Sequence, residues 1–291
     1  MKKPISKRLT ENELILKRLR LSEYPQPEII LLQKPVLFCH GYGAIGHFLK
    51  PSLLHDPCML SRQHGVVAFA PNVAPYARIE TRAEGWVKIL KNLKNRYGFT
   101  SFNVVAHSMG GLDMRYAISK LGADELVETL TTVSTPHRGT FLAELVLKTP
   151  ESIKGRVSDI IDWFGNRIYP DMSSDTRGSV EQLTRAYVQE IFNPETPDAE
   201  NVSYFSYAAG SGKGTDFPLN PIYYFQNAQI YEKEGVNDSY ISVESAKWGE
   251  YLGMTSISHL EQINVSVPKS RQEVYKQFWT SVLKNLSDRG Y

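Results

Sequence analysis

The chain has 291 residues, 42% hydrophobic and 22% charged, enough for a globular protein with one sizeable buried core. With 33 basic and 31 acidic residues its formal charge is +2, which gives no argument for nucleic-acid binding. No stretch approaches the ~20 apolar residues that span a bilayer, so no transmembrane segment is expected.

The start of the chain carries Lys2, Lys3, Lys7, Arg8, Lys17, Arg18 and Arg20, and its longest apolar run there is Leu14-Ile15-Leu16. That run is too short for the core of a signal peptide. Residues 1–30 therefore read as a solvated leader, and a cytoplasmic location is the expectation. Residues 35–39 predict a short buried strand, which runs into the turn His40-Gly41-Tyr42-Gly43. A helix-like stretch follows to about Arg62, then a second strand over 66–70. Ile79, Ala83, Trp86, Val87, Leu90, Leu93 and Tyr97 recur at three- and four-residue intervals, the mark of an amphipathic helix, with Gly98 placed to stop it. Residues 102–106 form a third strand, 109–121 a helix and 130–133 a fourth strand. Continuously apolar strands alternating with helices predict an α/β fold with a mostly parallel central sheet covered by helices on both faces. In such sheets the functional crevice lies at the carboxyl ends of the strands.

Between 141 and 192 the pattern breaks into short pieces, with an apolar helical stripe at Val157, Ile160, Ile161, Trp163, Phe164 and Ile168. That stretch is read either as ordinary core helix or as a lid insertion capping the crevice. Regular structure resumes with a strand over 201–207. The whole chain reads as one domain, without repeats or linkers. Of the two cysteines, Cys39 lies in the first strand and Cys58 in a loop; no disulfide between them is expected, and no Cys-X-X-Cys motif is present.

The most informative stretch is Ala106-His107-Ser108-Met109-Gly110-Gly111. A strand, then small-X-Ser-X-Gly, then a helix is the pattern of a nucleophile elbow, which lifts a serine hydroxyl off the sheet edge. The crowded turn needs small residues two before and two after the serine, here Ala106 and Gly110. A serine needs a base, itself oriented by an acid, in the chain order serine, acid, histidine. Of seven histidines only His137 and His259 follow Ser108. His137 leaves only acids on or just after the helix that follows the elbow, so order favours His259. Asp238, in the turn Gly235-Val236-Asn237-Asp238-Ser239, is the best-placed acid; Asp216 and Glu244 compete with it. Two backbone N–H groups should face the developing oxyanion: Met109, after the nucleophile, and Tyr42, after the first strand.

Together His40-Gly41-Tyr42-Gly43, Ala106 to Gly111, Ser134-Thr135-Pro136-His137-Arg138-Gly139, Asn237-Asp238 and His259-Leu260-Glu261 resemble bacterial triacylglycerol lipases of the Pseudomonas/Burkholderia type. The resemblance implies an α/β-hydrolase fold, with Ser108, Asp238 and His259 as the triad and Tyr42 and Met109 as oxyanion donors. It also implies a mobile lid after Gly139 and a lipid or ester substrate met at an interface. No organic cofactor is implied, but a structural calcium ion is, at Asn220 and Glu261. The chain departs from the pattern at Ser239, where the family has glycine, and in the family's late disulfide, which has no counterpart because both cysteines precede residue 60. The function expected is hydrolysis of acyl esters such as triacylglycerols. A short-chain esterase or acyltransferase with the same triad, and a non-catalytic binding protein of this fold, are the alternatives.

Overall fold

In the apolar runs of this chain, successive side chains enter different cores, as a strand buried on both faces requires. The computed structural model describes residues 27–43, 51–148, 175–265 and 267–291. Its strands are β1 (Val36–Cys39), β2 (Ala68–Phe69), β3 (Phe102–His107), β4 (Val127–Val133), β5 (Ser203–Ala209) and β6 (Glu250–Thr255). All pair in parallel, in the order β2-β1-β3-β4-β5-β6. Val36, Phe38 and Val105 enter one core, while Leu37, Cys39, Val104 and Ala106 enter the other.

The longer helices are α1 (His55–Gln63), α2 (Ile79–Tyr97), α3 (Gly110–Lys120), α4 (Phe141–Lys148), α5 (Tyr224–Glu234) and α6 (Gln272–Asp288). Helix α6 gives Phe278, Trp279, Val282 and Leu283 to the first core. Trp86 and Leu90 of α2 and Met114 and Ala117 of α3 fill the second. Helix α2 has the bounds its periodicity predicts and ends at Gly98, whose φ of +73° closes the last turn. Helices thus cover both faces, as expected. Both cysteines are free and buried.

Two differences from the sequence expectation have local causes. The second strand shrinks to Ala68–Phe69 because it is an edge strand that pairs only with β1. Strand β6 lacks an apolar run: it is the opposite edge, mostly half-exposed, and its pairing with β5 is irregular beside Gly253, whose φ is +125°.

Of the lid expected over 141–192, residues 149–174 lie outside the described residues, including the apolar stripe from Val157 to Ile168. The two flanks belong to the body of the fold. Val180, Leu183, Val188 and Phe192 are core residues, and Arg185 grips Glu144 of α4 with two hydrogen bonds of 2.7 and 2.9 Å. Most of the expected leader also lies outside the described residues; Ile30 is already buried and its N–H donates to the His64 carbonyl at 2.9 Å. Among the described residues no helix is long and apolar enough to cross a membrane.

Candidate active site

Because all six strands are parallel, the turns after β1 and β3 emerge at the same edge of the sheet, and the pairing of Cys39 with Ala106 sets them side by side. Ser108 follows β3 with φ of +56°, a left-handed conformation that a non-glycine residue holds only when its surroundings fix it. Those surroundings are visible. The Ser108 N–H donates to the Val133 carbonyl at 2.9 Å, and the Thr135 hydroxyl donates to the Ser108 carbonyl at 2.7 Å. A Cβ on Gly110 would lie 2.6 Å from the Cys39 carbonyl oxygen and 2.8 Å from that of His40. One on Gly41 would lie 2.5 Å from the Ser108 Cβ. Neither clash can be relieved by turning a flexible side chain, so both positions need glycine.

His259 and Asp238 reach this turn from 151 and 130 positions further along the chain, and both are fully buried. The His259 Nε2 is 2.9 Å from the Ser108 Oγ, and its Nδ1 is 2.8 Å from the Asp238 Oδ2. With the carboxylate able only to accept, Nδ1 carries the proton and Nε2 offers its lone pair to the serine. Asp238 is fixed by its own loop: its Oδ1 accepts from the N–H groups of Tyr240 at 3.0 Å and Ile241 at 2.7 Å. The His259 ring stacks on Tyr240, with centroids 4.8 Å apart. On another side it meets His107 at 4.6 Å, a buried ring whose pKa is driven well below the ordinary histidine value chiefly by desolvation. His107 is therefore neutral beside the His259 ring.

The competing residues lie elsewhere. His137 is buried, bonded to the Thr132 hydroxyl at 3.0 Å and stacked on Trp248. Asp216 is exposed, and Glu244 pairs with Lys247 at the surface at 2.7 Å.

Met109 is the cap residue of α3, so its N–H lies among the unpaired donors at the positive end of a helix. Tyr42 follows Gly41 in the turn that packs on the elbow; its ring lies edge-on to Tyr76, and the Ser179 hydroxyl donates to its own at 3.4 Å. The turn is held from behind by Arg82 of α2. One guanidinium nitrogen donates to the carbonyls of His40 at 2.7 Å and Gly41 at 3.1 Å, and another to that of Ala74 at 2.8 Å. Across the trans peptide, a Gly41 carbonyl held on that side turns the Tyr42 N–H the opposite way, while the Gly43 N–H donates to the Pro75 carbonyl at 3.1 Å.

Asn220 and Glu261 line a common cavity of about 310 Å³ that also includes Tyr223 and Arg271. The donor set does not suit calcium, which takes six to eight oxygens with several carboxylates among them. Asn220 spends its Oδ1 on the Ile222 N–H at 3.2 Å. Both Glu261 oxygens are engaged, Oε1 by Arg271 at 3.1 Å and Oε2 by the Ser258 N–H at 2.7 Å. Among the described residues no cluster of three or more His, Cys, Asp or Glu side chains could hold a metal.

Three residues of the site are not singled out by the sequence. Arg82 had a signal: it sits on the apolar face of α2 between Ile79 and Ala83, where a charge demands a buried partner. Gln262 donates to the Asp238 Oδ2 at 3.2 Å, and nothing in its position three residues after the histidine announces that. His107 is masked by the elbow motif itself, in which its position is variable.

A family model described as an alpha/beta hydrolase of unknown function (DUF915) matches residues 65–144. Triacylglycerol lipase 2 of Saccharomyces cerevisiae is 28% identical over 304 residues, covering 87% of this chain and 86% of that protein. A triacylglycerol lipase of Burkholderia plantarii is 30% identical over 176 residues, 57% of this chain and 48% of that one. Among solved structures, a metagenomic carboxyl esterase superposes with a TM-score of 0.67 at 15% identity, over 92% of this chain and 78% of its own.

Proposed function

We propose that this chain, an α/β-hydrolase related to triacylglycerol lipases and a carboxylic-ester hydrolase, cleaves acyl esters such as triacylglycerols through an acyl-enzyme on Ser108. The observation that carries the reading is the unbroken chain from Ser108 Oγ to His259 Nε2 at 2.9 Å and from His259 Nδ1 to Asp238 Oδ2 at 2.8 Å.

Each step uses a group already described. The Ser108 oxygen attacks the ester carbonyl carbon while His259 Nε2 takes the hydroxyl proton. Asp238 holds the ring in the tautomer that can accept at Nε2 and stabilises the imidazolium that forms. The carbonyl oxygen, now an anion, sits against the N–H groups of Tyr42 and Met109, donors of a kind worth ~2.7–4 kcal/mol each in the transition state. Collapse of the tetrahedral intermediate expels the alcohol, which takes its proton from His259. A water molecule then repeats the sequence on the acyl-enzyme, giving up a proton to His259 and releasing the carboxylic acid and free Ser108. No organic cofactor enters these steps.

The substrate is read as a lipid ester met at an interface, on the strength of the likeness to triacylglycerol lipase 2 of Saccharomyces cerevisiae across most of both chains. Labelling with a fluorophosphonate, followed by hydrolysis of emulsified triglyceride and of soluble esters of rising chain length, tests the proposal. Expected are a phosphonyl adduct on Ser108 and activity on long-chain emulsified esters. No adduct would end the enzyme assignment, and a peak at acetyl or butyryl esters with no response to emulsion would replace the lipase with a short-chain esterase.

A further inference from the structure

His259 is delivered by a loop, and a loop is a poor platform for a base that must sit within a fraction of an ångström of its partner. One ion pair ties that loop down on both sides of the histidine. Arg271, in the single turn Lys269–Arg271 that precedes α6, donates from Nη2 to the Ser256 carbonyl at 2.6 Å and from Nε to Glu261 Oε1 at 3.1 Å. The other oxygen of Glu261 turns back to accept the Ser258 N–H at 2.7 Å. Positions 256, 258 and 261 are thereby joined through one guanidinium and one carboxylate, with His259 inside the closed circuit. Both side chains are largely screened, 13% and 12% exposed, so the pair is less weakened by solvent than an ordinary surface salt bridge.

We infer that Arg271 is a positioning residue for His259, and that its guanidinium serves this loop as a built-in cation in place of a bound divalent ion. The inference rests on the proposed role of His259 as the base. The chemistry of the clamp supports it in two ways. Arginine presents several donors in a fixed plane, so one side chain can reach a carbonyl and a carboxylate at once and fix an angle as well as a distance. The same positive charge, 3.1 Å from Glu261, the only carboxylate among the described residues lining that cavity, repels a divalent cation from the oxygens it would need.

The test uses the full chain with Arg271→Met, Arg271→Lys and Glu261→Gln variants. A soluble acyl ester gives kcat and KM, fluorophosphonate gives the labelling rate of Ser108, and thermal melts are run in excess EDTA and in excess calcium chloride. Arg271→Met is expected to lower kcat and the labelling rate together by about 10- to 100-fold with KM nearly unchanged, by analogy with the loss when outer partners of a metal-bound histidine are removed. Arg271→Lys, which keeps the charge, should recover a large part of that loss, and Glu261→Gln should show a fall like that of Arg271→Met. A merely structural pair would lower the melting temperature and leave kcat alone. The wild-type melting temperature and kcat should be the same in EDTA and in calcium. Wild-type kcat in folded Arg271→Met would overturn the inference, and so would a rise in wild-type melting temperature with calcium. Should Arg271→Met fail to fold, wild-type kcat in Glu261→Gln would overturn it equally. Absence of any adduct on wild-type Ser108 would instead overturn the role of His259 on which the inference stands.

Discussion

The Arg82 Nε lies 2.8 Å from the Asp113 Oδ2, and both side chains are fully buried. The pair links α2, which supports the turn carrying Tyr42, to α3, which begins at the elbow carrying Ser108. The indole N–H of Trp86 donates to the same carboxylate oxygen at 3.3 Å. A buried ion pair is weak evidence for net stability, but breaking one strands a charge. Here the stranded charge would sit in the first turn of α3, four residues after Met109.

Arg82→Met is therefore expected to destabilise the fold by about 3–5 kcal/mol, and to lower kcat in whatever folds. The loss should depend on pH. Desolvation raises the Asp113 pKa from its usual value to about 6, against the opposing pull of Arg82. A carboxyl whose folded pKa is raised contributes stability that is present in acid and lost as pH rises through that pKa. In the wild type this window runs from about 4 to about 6. Without Arg82 the pKa climbs further, so the window extends upward and the variant's deficit is larger at pH 8 than at pH 5. Melting temperatures of the two proteins across that range check this; a deficit independent of pH would show that Asp113 does not titrate there.

Gly41 and Gly110 close the space between the two turns. Alanine at Gly41 would bring its Cβ within 2.5 Å of the Ser108 Cβ, and at Gly110 within 2.6 Å of a backbone carbonyl. Either substitution must push the turns apart, and a displacement near 1 Å at reacting groups costs about 100-fold in rate. Gly41→Ala and Gly110→Ala should each lose at least that much in kcat/KM, measured on a soluble ester. Ala106→Gly, at the other small position of the elbow, adds no atom and should keep full activity while losing about 0.5–1 kcal/mol of stability by melting.

Ser239 marks the place where the acid turn departs in sequence from the lipase pattern, yet its φ of +80° is a glycine's conformation. The strain is held by its neighbours: the Ser239 N–H donates to the Asn237 side chain at 2.9 Å, and the buried Gln226 amide donates to the Ser239 carbonyl at 2.8 Å. Ser239→Gly removes a left-handed penalty of about 1–2 kcal/mol and adds a flexibility cost of about 0.5–1 kcal/mol. The expected result is a melting temperature equal to or slightly above wild type, with kcat unchanged. Ser239→Val should unfold earlier, because a β-branched side chain fits that conformation worst.

The core strands, α2 and the elbow were legible because each follows a short-range rule: apolar runs for strands covered on both faces, three- and four-residue spacing for a helix, small residues around a crowded turn. Chain order separated His259 from His137, and the turn before it brought out Asp238. What escaped was long-range or at an edge. Strand β6 carries half-exposed residues and a glycine irregularity, so it has no apolar signature. Arg82 and Gln262 matter through partners far along the chain or across a turn, which no local pattern encodes. Asn220 and Glu261 matched calcium ligands by position, but position does not reveal that Arg271 already holds the carboxylate.

Asp238→Asn separates the structural from the chemical role of the acid. The amide is the same size, and its oxygen can still accept the N–H groups of Tyr240 and Ile241, which bond the Asp238 Oδ1 at 3.0 and 2.7 Å. Its nitrogen then occupies the place of Oδ2, where both His259 Nδ1–H and the Gln262 amide now donate at 2.8 and 3.2 Å. Two donors facing a third cannot all be satisfied. His259 relieves this by moving its proton to Nε2, which turns the ring into a donor toward Ser108 and removes the base. The fold should persist with a modestly lowered melting temperature, while kcat falls by about 10⁴-fold, the loss when the orienting acid of a serine-protease triad becomes an amide. Fluorophosphonate labelling should slow in proportion. A variant that retained more than a tenth of wild-type kcat would assign the orienting role to another group.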